Sequence, residues 1–159
     1  MVELLPAQEN LDGFRMLLKE YTDMILQQDS EVAKTLSSQH LDDELENAEK
    51  KYGFPNGRMY VAFVDGKLAG CVALAEINND CCELKRLYVR PEHRGQHLSR
   101  LLCDKVMEDA RSVGYRYMRL DTFPFMESAI RLYEKYGFEY IEKYNQNPAQ
   151  NAVFMQLTL

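Results

Sequence analysis

A strand, a short turn and a helix follow one another near the centre of the sequence, and this unit most constrains the possible folds. The apolar residues Leu87, Tyr88 and Val89 are followed by RPEHRGQHLSRLL, after which apolar residues recur at the three- and four-residue steps of a helix. Gly114 follows, and glycine commonly ends a helix. The sequence therefore predicts a strand, a turn, and a helix over residues 95–113.

The turn in this unit has features suited to binding an anion. The first amides of a helix lack internal acceptors, Gly95 allows close backbone approach, and Arg94 and Arg100 can add charge-assisted hydrogen bonds. The patterns GxxxxGK[ST] and GxGxxG are both missing, which disfavours ATP and NAD as ligands. From this corner alone, an anion site and an ordinary strand-helix connection both stay open.

Strand and helix patterns also occur on both sides of this unit. Helical spacing over residues 10–28 predicts an amphipathic helix, and Asp65-Gly66 separates two apolar runs as in a β-hairpin. A weaker helical pattern within 29–51 predicts either a lid or a connecting helix. We further expect strands in CCELKRLYV, YMRLDTF, FEYIEKY and AVFMQLTL, and a helix in FMESAIRLYEKY that ends at Gly137. The sum is a mixed α/β or α+β sheet with packed helices.

Composition narrows the classes of function. The chain has 159 residues, of which 46% are apolar, so one soluble domain is expected. A net charge of -6 disfavours nucleic acid as a partner, and fits either plain solubility or a preference for cationic small substrates. No apolar run reaches the roughly 18 residues of a membrane span, so a cytoplasmic protein without a membrane partner is expected. Four cysteines without a CxxC pair predict buried thiols.

Three stretches, taken in order, resemble one superfamily. CELKRLYVRPEHRGQHLSRLL, GYRYMRLDT and SAIRLYEKYGFEYIE are similar to the GNAT superfamily of acyl-CoA-dependent N-acyltransferases, with the likeness strongest over residues 60–141. The resemblance implies a single acetyltransferase-like domain over 1–159. It implies a central mixed, mostly antiparallel sheet of about six or seven strands with helices on both faces. Acetyl-CoA is the implied acyl donor, with no metal.

The resemblance also implies which residues bind the coenzyme. The family signature reads Arg or Gln, two residues, Gly or Ala, one residue, Gly or Ala, and it begins here at Arg94. The strand end would pair with the pantetheine arm, and the amides of the turn would bind the pyrophosphate. The implied residues are Leu87, Tyr88 and Val89 for the arm, and Arg94, Gly95, Gln96, His97, Leu98, Ser99 and Arg100 for the pyrophosphate.

Two positions depart from the family pattern. His97 stands where a small residue is usual, so its side chain either turns outward or meets a phosphate. Met126 stands where many members have an asparagine that binds the coenzyme arm. These departures keep open a non-catalytic acyl-CoA-binding module as an alternative to an enzyme.

Tyr133 is the candidate general acid. The resemblance places it where the family often has a tyrosine near the coenzyme sulfur. A phenol, with an ordinary pKa of about 10, stays protonated near neutral pH and can donate to a leaving thiolate. The alternative is that Tyr133 only packs in the core, on one helix face with Ile130 and Tyr136.

Glu83 is the candidate general base. Strand alternation places it on one face with Lys85 and Leu87, from which its carboxylate could accept a proton directly or through water. It could equally pair with Lys85 or Arg86. Glu76 is a weaker base candidate, and Arg86 or Arg119 could instead bind a carboxylate of the substrate.

The resulting hypothesis is an N-acetyltransferase that transfers acetyl from acetyl-CoA to a primary amine of a small molecule, by direct attack in a ternary complex. A protein or peptide N-acetyltransferase is the related alternative. The acceptor pocket is expected near Tyr140, Tyr144 and Asn145. A homodimer through sheet edges is compatible with the sequence.

Overall fold

A seven-stranded sheet forms the centre of the molecule. The computed structural model describes residues 1–28, 47–147, 149 and 151–159. The strands are β1 (Val2–Pro6), β2 (Arg58–Val64), β3 (Lys67–Glu76), β4 (Cys81–Val89), β5 (Tyr117–Thr122), β6 (Glu139–Tyr140) and β7 (Val153–Thr158). Their order in the sheet is β1-β2-β3-β4-β5-β7-β6, and only β4 and β5 run parallel. This confirms the predicted mixed, mostly antiparallel sheet.

Helices pack on both faces of this sheet. The α-helices in the described part of the chain are α1 (Leu11–Gln28), α2 (Ala48–Tyr52), α3 (Leu98–Val113) and α4 (Glu127–Tyr136). On one face, α1 buries Phe14 and Leu17 against Val61 of β2. On the other, Leu102 of α3 and Tyr133 of α4 join a second apolar core. Alternate residues of each strand supply the two cores, because neighbouring strand residues point to opposite faces.

The amphipathic helix and the hairpin follow their predictions. Helix α1 begins one residue after the predicted start and ends at Gln28, as predicted. Asp65 and Gly66 both have positive φ angles, 50° and 80°, which the tight turns of two-residue hairpins require. The predicted stop at Gly137 is also present, with a left-handed φ of 99°. Local turn chemistry therefore determines these boundaries.

Two parts of the sheet differ from the sequence prediction. Strand β1 was not predicted, and it pairs antiparallel with β2 at the sheet edge. The strand predicted in FEYIEKY is limited to Glu139–Tyr140. After Ile141, whose amide donates to Phe154, the chain leaves the strand because Tyr144 and Asn145 bond to side chains of β4 and β5. Residues 29–46, which include most of the predicted lid or connecting helix, lie outside the described residues.

Candidate active site

Strands β4 and β5 are paired at one end and separate at the other. Their parallel pairing covers only Cys81, Cys82 and Glu83 of β4. Beyond Glu83, no described strand pairs with the β5 side of β4, and a cleft of about 690 Å³ opens there. The unpaired edge leaves backbone groups to which an extended ligand chain can hydrogen-bond.

A bulge in β4 changes which side chains face this cleft. Cys71 of β3 pairs with Tyr88 while Ala73 pairs with Lys85, so β4 has one extra residue between these pairs. Arg86, at the bulge, has a left-handed φ of 58°. The prediction that Glu83, Lys85 and Leu87 share one face is therefore wrong for Leu87. Leu87 packs on the side of α3, whereas Glu83 stays on the opposite face.

The turn after β4 presents a continuous row of free amides. Helix α3 begins at Leu98 rather than at the predicted Gly95. Its first hydrogen bond is donated by the amide of Leu101 to the carbonyl of His97. Within the described residues, no acceptor is bonded to the backbone amides from Gly95 through Arg100. Gly95 and His97 are both left-handed, with φ angles of 81° and 61°. Six such amides at a helix start form a site with the right donors for a phosphate group.

The cleft is basic although the chain is acidic. Its lining includes four cationic side chains, two histidines and one carboxylate: Arg94, Arg100, Arg131, Lys135, His93, His97 and Glu127. The whole chain has a net charge of -6, so this concentration of positive charge is local. The Nε of Arg94 donates to the carbonyl of Val89 at 3.1 Å, which ties the turn to the end of β4. The charge and the free amides both favour an anionic ligand.

The predicted coenzyme residues gather at this cleft, with one exception. Leu87, Tyr88, Val89, Arg94, Gly95, His97, Leu98, Ser99 and Arg100 all line it. Gln96, in the same turn, is exposed and is not among the lining residues. His97 is exposed on the cleft side, and its side chain makes no capping hydrogen bond to α3. Met126, at the position of the expected asparagine, also lines the cleft.

A small polar chamber adjoins the inner end of the cleft. Its volume is about 30 Å³, and it shares Leu87 and Met126 with the cleft lining. Tyr133 of α4 and Asp121 of β5 also line it. Tyr133 is buried, and this burial above all raises the pKa of its phenol well above the usual 10. The hydroxyl therefore stays protonated in the neutral pH range and can donate its proton.

Glu83 lies in a hydrogen-bond network on the α1 face of the sheet. It is buried, and its Oε2 accepts from the hydroxyl of Tyr144 at 2.5 Å. Its Oε1 lies 3.5 Å from the Nζ of Lys85, so the predicted pairing with Lys85 is present. Burial and the nearby charge of Glu83 raise the pKa of Tyr144 far above its ordinary value, which keeps this phenol a donor.

Asp121 is a second carboxylate on this face, and no sequence pattern pointed to it. Its Oδ2 accepts from Asn145 Nδ2 and from Asn147 Nδ2, both at 3.0 Å. Asn145 also lies 3.5 Å from Glu83, so one amide joins the two carboxylates. Asp121 stands in the run YMRLDTF, where it reads as an ordinary solvated strand residue. Only the folding of 141–147 across β4 and β5 assembles the group.

Three further candidates from the sequence make contacts of their own, namely Arg119, Arg86 and Glu76. Arg119 donates from Nε to Gln156 at 2.8 Å, and its guanidinium lies 5.3 Å from the ring centroid of Tyr144. Arg86 is buried at the bulge and lines the chamber. Glu76 is exposed at the end of β3 and accepts from Asn56. Glu76 therefore lies outside the network of Glu83 and Asp121.

The cysteines are buried thiols, as predicted. All four are free, and burial raises the pKa of Cys103 to about 12, which opposes formation of a reactive thiolate. Among the residues that the structure describes, no cluster of three or more His, Cys, Asp or Glu side chains could hold a metal ion. No helix in that part of the chain has the length and apolar content of a transmembrane span.

Comparison with known proteins agrees with this architecture. The model of the acetyltransferase (GNAT) family matches residues 20–138. An uncharacterized N-acetyltransferase of Schizosaccharomyces pombe is 42% identical over 153 residues, which cover 95% of this chain and 90% of that relative. The crystal structure of an acetyltransferase from Streptococcus agalactiae is 22% identical, with a TM-score of 0.82, and the match covers 99% of this chain and 98% of the other.

A second solved structure has the same fold and a bound coenzyme. It is the PaiA N-acetyltransferase of Thermoplasma acidophilum in complex with coenzyme A, with a TM-score of 0.74 at 20% identity, covering 100% of this chain and 99% of the other. At such identities the structures show a shared fold, while the family model and the fungal relative show common membership. The chain therefore belongs to the GNAT family and is an acyl-CoA-dependent N-acyltransferase.

Proposed function

We propose that the protein transfers an acetyl group from acetyl-CoA to the primary amine of a small molecule, by direct attack in a ternary complex. The observation that supports this most strongly is the row of six free amides in a basic cleft that ends beside Tyr133. Phosphate binding, an unpaired strand edge and a protonated phenol occur along one continuous opening. An acyl-CoA thioester needs these three features in this order.

In this proposal the coenzyme lies along the β4 side of the cleft. The amides from Gly95 through Arg100 bind the pyrophosphate, with Arg94 and Arg100 adding charge. The backbone of Leu87 to Val89 pairs with the pantetheine arm along the edge that β5 leaves open. Met126 contacts that arm through apolar packing in place of an asparagine hydrogen bond. Gln96 contributes its amide only, since its side chain is not part of the lining.

Tyr133 acts as general acid in this reaction. Attack of the neutral amine on the thioester carbonyl breaks the carbon-sulfur bond, and the Tyr133 hydroxyl gives its proton to the leaving sulfur. The amine nitrogen then loses its second proton, which passes to the phenolate of Tyr133 and restores its hydroxyl. A carboxylate accepts the first proton of the ammonium on the acceptor side, where Glu83 is paired with Tyr144 and Lys85.

A small acceptor is favoured over a protein by the cover on the α1 face. The segment of residues 141–147 lies across β4 and β5, bonded through Tyr144 and Asn145 to the carboxylates beneath it. A protein chain would need a long open groove on this side. The chamber that Tyr133 lines is small instead, with a volume of about 30 Å³.

Binding and turnover test the proposal separately. Isothermal titration with acetyl-CoA should give binding, and the coenzyme should raise the unfolding temperature by mass action. Release of free thiol should then be followed with ethanolamine, tyramine, spermidine, glycinamide and a tetrapeptide with a free N-terminus. No binding at about millimolar acetyl-CoA contradicts the proposal. Turnover of the peptide alone supports the peptide alternative, and binding without any turnover supports the non-catalytic module.

A further inference from the structure

Two carboxylates lie next to each other where β4 and β5 separate, but their oxygens are used differently. Glu83 pairs across the sheet with Arg119, and Asp121 follows two residues later on the same face of β5. Both oxygens of Glu83 are engaged, Oε2 by Tyr144 and Oε1 by Lys85. Both hydrogen bonds of Asp121 to described residues end on Oδ2, which leaves Oδ1 for a ligand.

The position of Asp121 relative to Tyr133 gives this oxygen a role. Both residues line the polar chamber that adjoins the cleft through Leu87 and Met126. A chamber of about 30 Å³ holds one or two waters or an amine head group, since about 10–15 Å³ suffices for a water. An acceptor nitrogen in this chamber therefore lies between a carboxylate and the proposed general acid.

We infer that Asp121 binds the acceptor ammonium and accepts its first proton, while Glu83 is a positioning residue that holds Tyr144 and Asn145 in place. This inference rests on the proposed function. The N–H bond of the ammonium breaks and its proton passes to the Asp121 carboxylate, directly or through one water. The nitrogen lone pair then attacks the thioester carbonyl. Asp121 releases the proton to solvent after the amide product leaves, so the reaction yields amide, free thiol and one proton.

The surroundings of Asp121 are mixed in charge and suit a transient carboxylic acid. The ionisable groups around it come from β4, β5, α1, α4 and the segment 141–147: Glu83, Lys85, Arg86, Arg119, Tyr21, Tyr133 and Tyr144. Asn145 and Asn147 keep the carboxylate oriented in either protonation state, because both donate to Oδ2 of Asp121 and neither donates to its Oδ1. Their amide groups do not titrate, so they hold the geometry throughout the cycle.

The test compares three variants that each replace a carboxylate by its amide. Asp121→Asn keeps an oxygen that can accept from the two asparagines but removes the proton acceptor. Glu83→Gln makes the same change at the other carboxylate. Asp12→Asn is the control, because the side chain of Asp12 is fully exposed at the start of α1. Each variant is assayed with acetyl-CoA and the amine of the panel that the unaltered protein turns over fastest, and acetyl-CoA affinity and unfolding temperature check that the variants fold.

The pH dependence of the deficit identifies the proton acceptor. Asp121→Asn should lower kcat/KM for the amine by about 100-fold or more near pH 7, with acetyl-CoA affinity unchanged. This deficit should shrink by about tenfold for each unit by which the pH is raised, because the solution then supplies the neutral amine that the variant cannot generate. Glu83→Gln should give a smaller deficit that does not change with pH, as expected of a positioning residue.

Two results would overturn the inference. The first is an Asp121→Asn variant as active as Asp12→Asn. The second is a deficit that higher pH removes in Glu83→Gln but not in Asp121→Asn, which would return the role to Glu83. If the unaltered protein turns over no amine at all, the proposed function itself fails and this inference fails with it.

Discussion

Tyr133 lines the chamber beside the cleft, and its ring packs against Phe138 with 5.6 Å between the ring centroids. The two interpretations of this residue, packing and acid catalysis, are therefore compatible. Burial, followed by the charges of Cys103, Tyr21 and Asp121, raises its pKa well above 10. One side chain can stabilise the core and keep a proton available in the neutral pH range.

Substituting Tyr133 by Phe separates these two roles. We expect kcat to fall by about 100-fold, because the ring stays but the proton donor is lost. Acetyl-CoA affinity should stay unchanged, since the hydroxyl is not part of the phosphate site. In the unaltered protein, ionisation of this phenol should cause no loss of activity below about pH 10. Unchanged kcat in the variant would leave Tyr133 with packing alone.

At the level of elements, the turn between β4 and α3 combines free amides with two left-handed residues. Gly95 and His97 have φ angles of 81° and 61°, and such angles favour glycine. Glycine, one of the two residues that the family signature has where His97 stands, adopts this conformation without strain. The helix therefore begins three residues after the predicted start, since the chain must first turn in this conformation.

Gly95→Ala should damage coenzyme binding, and Gly66→Ala provides a matched control. Both glycines have φ angles near 80°, and a Cβ at either would meet no atom within 4 Å. Each substitution should therefore lower the free energy of unfolding by about 1 kcal/mol through backbone strain. Only Gly95→Ala should also weaken acetyl-CoA binding, by about tenfold, because the strained turn displaces the amides of the phosphate site and the added Cβ hinders close approach of the phosphate. Titration calorimetry and urea unfolding measure the two effects, and equal affinities would refute the proposed phosphate site.

At the level of the whole molecule, the two cores hold many ionisable groups in their neutral forms. Burial raises the pKa of Cys82, Cys103 and Tyr115 to about 12. Burial also raises the pKa of Cys71 and Tyr60, on strands β3 and β2. These groups keep their protons in the native state at pH values where the unfolded chain loses them. The native state therefore depends on their neutral forms.

Stability should consequently fall at alkaline pH. The pKa values of these buried thiols and phenols are higher in the folded state than in the unfolded state. Their contribution to the free energy of unfolding is therefore complete below about pH 9 and is lost as the pH rises towards the folded pKa values. The free energy of unfolding in urea should be nearly level from about pH 7 to pH 8.5 and then decrease. Tyrosine absorbance of the native protein should show few ionised phenols between about pH 7 and pH 8.5. A free energy that rises above about pH 9 would contradict the assignment of these groups as buried and neutral.

Several features could be predicted from the residues alone: the class of fold, the hairpin at Asp65-Gly66, the helix stop at Gly137, and the turn that begins at Arg94. These features follow from local chemistry, in which glycine conformation, apolar periodicity and motif order act over a few residues. The candidate acid Tyr133 was also accessible, through resemblance of its helix to the GNAT superfamily.

The rest of the site depends on packing between distant parts of the chain. The bulge at Arg86 moves Leu87 to the face opposite Glu83, and no local pattern marks where a strand gains a residue. Asp121 joins Glu83 only because Asn145, which directly follows the segment predicted as strand, bonds to both carboxylates. Such contacts join residues 24 and 62 positions apart, so they depend on the packing of the whole sheet rather than on spacing in the chain.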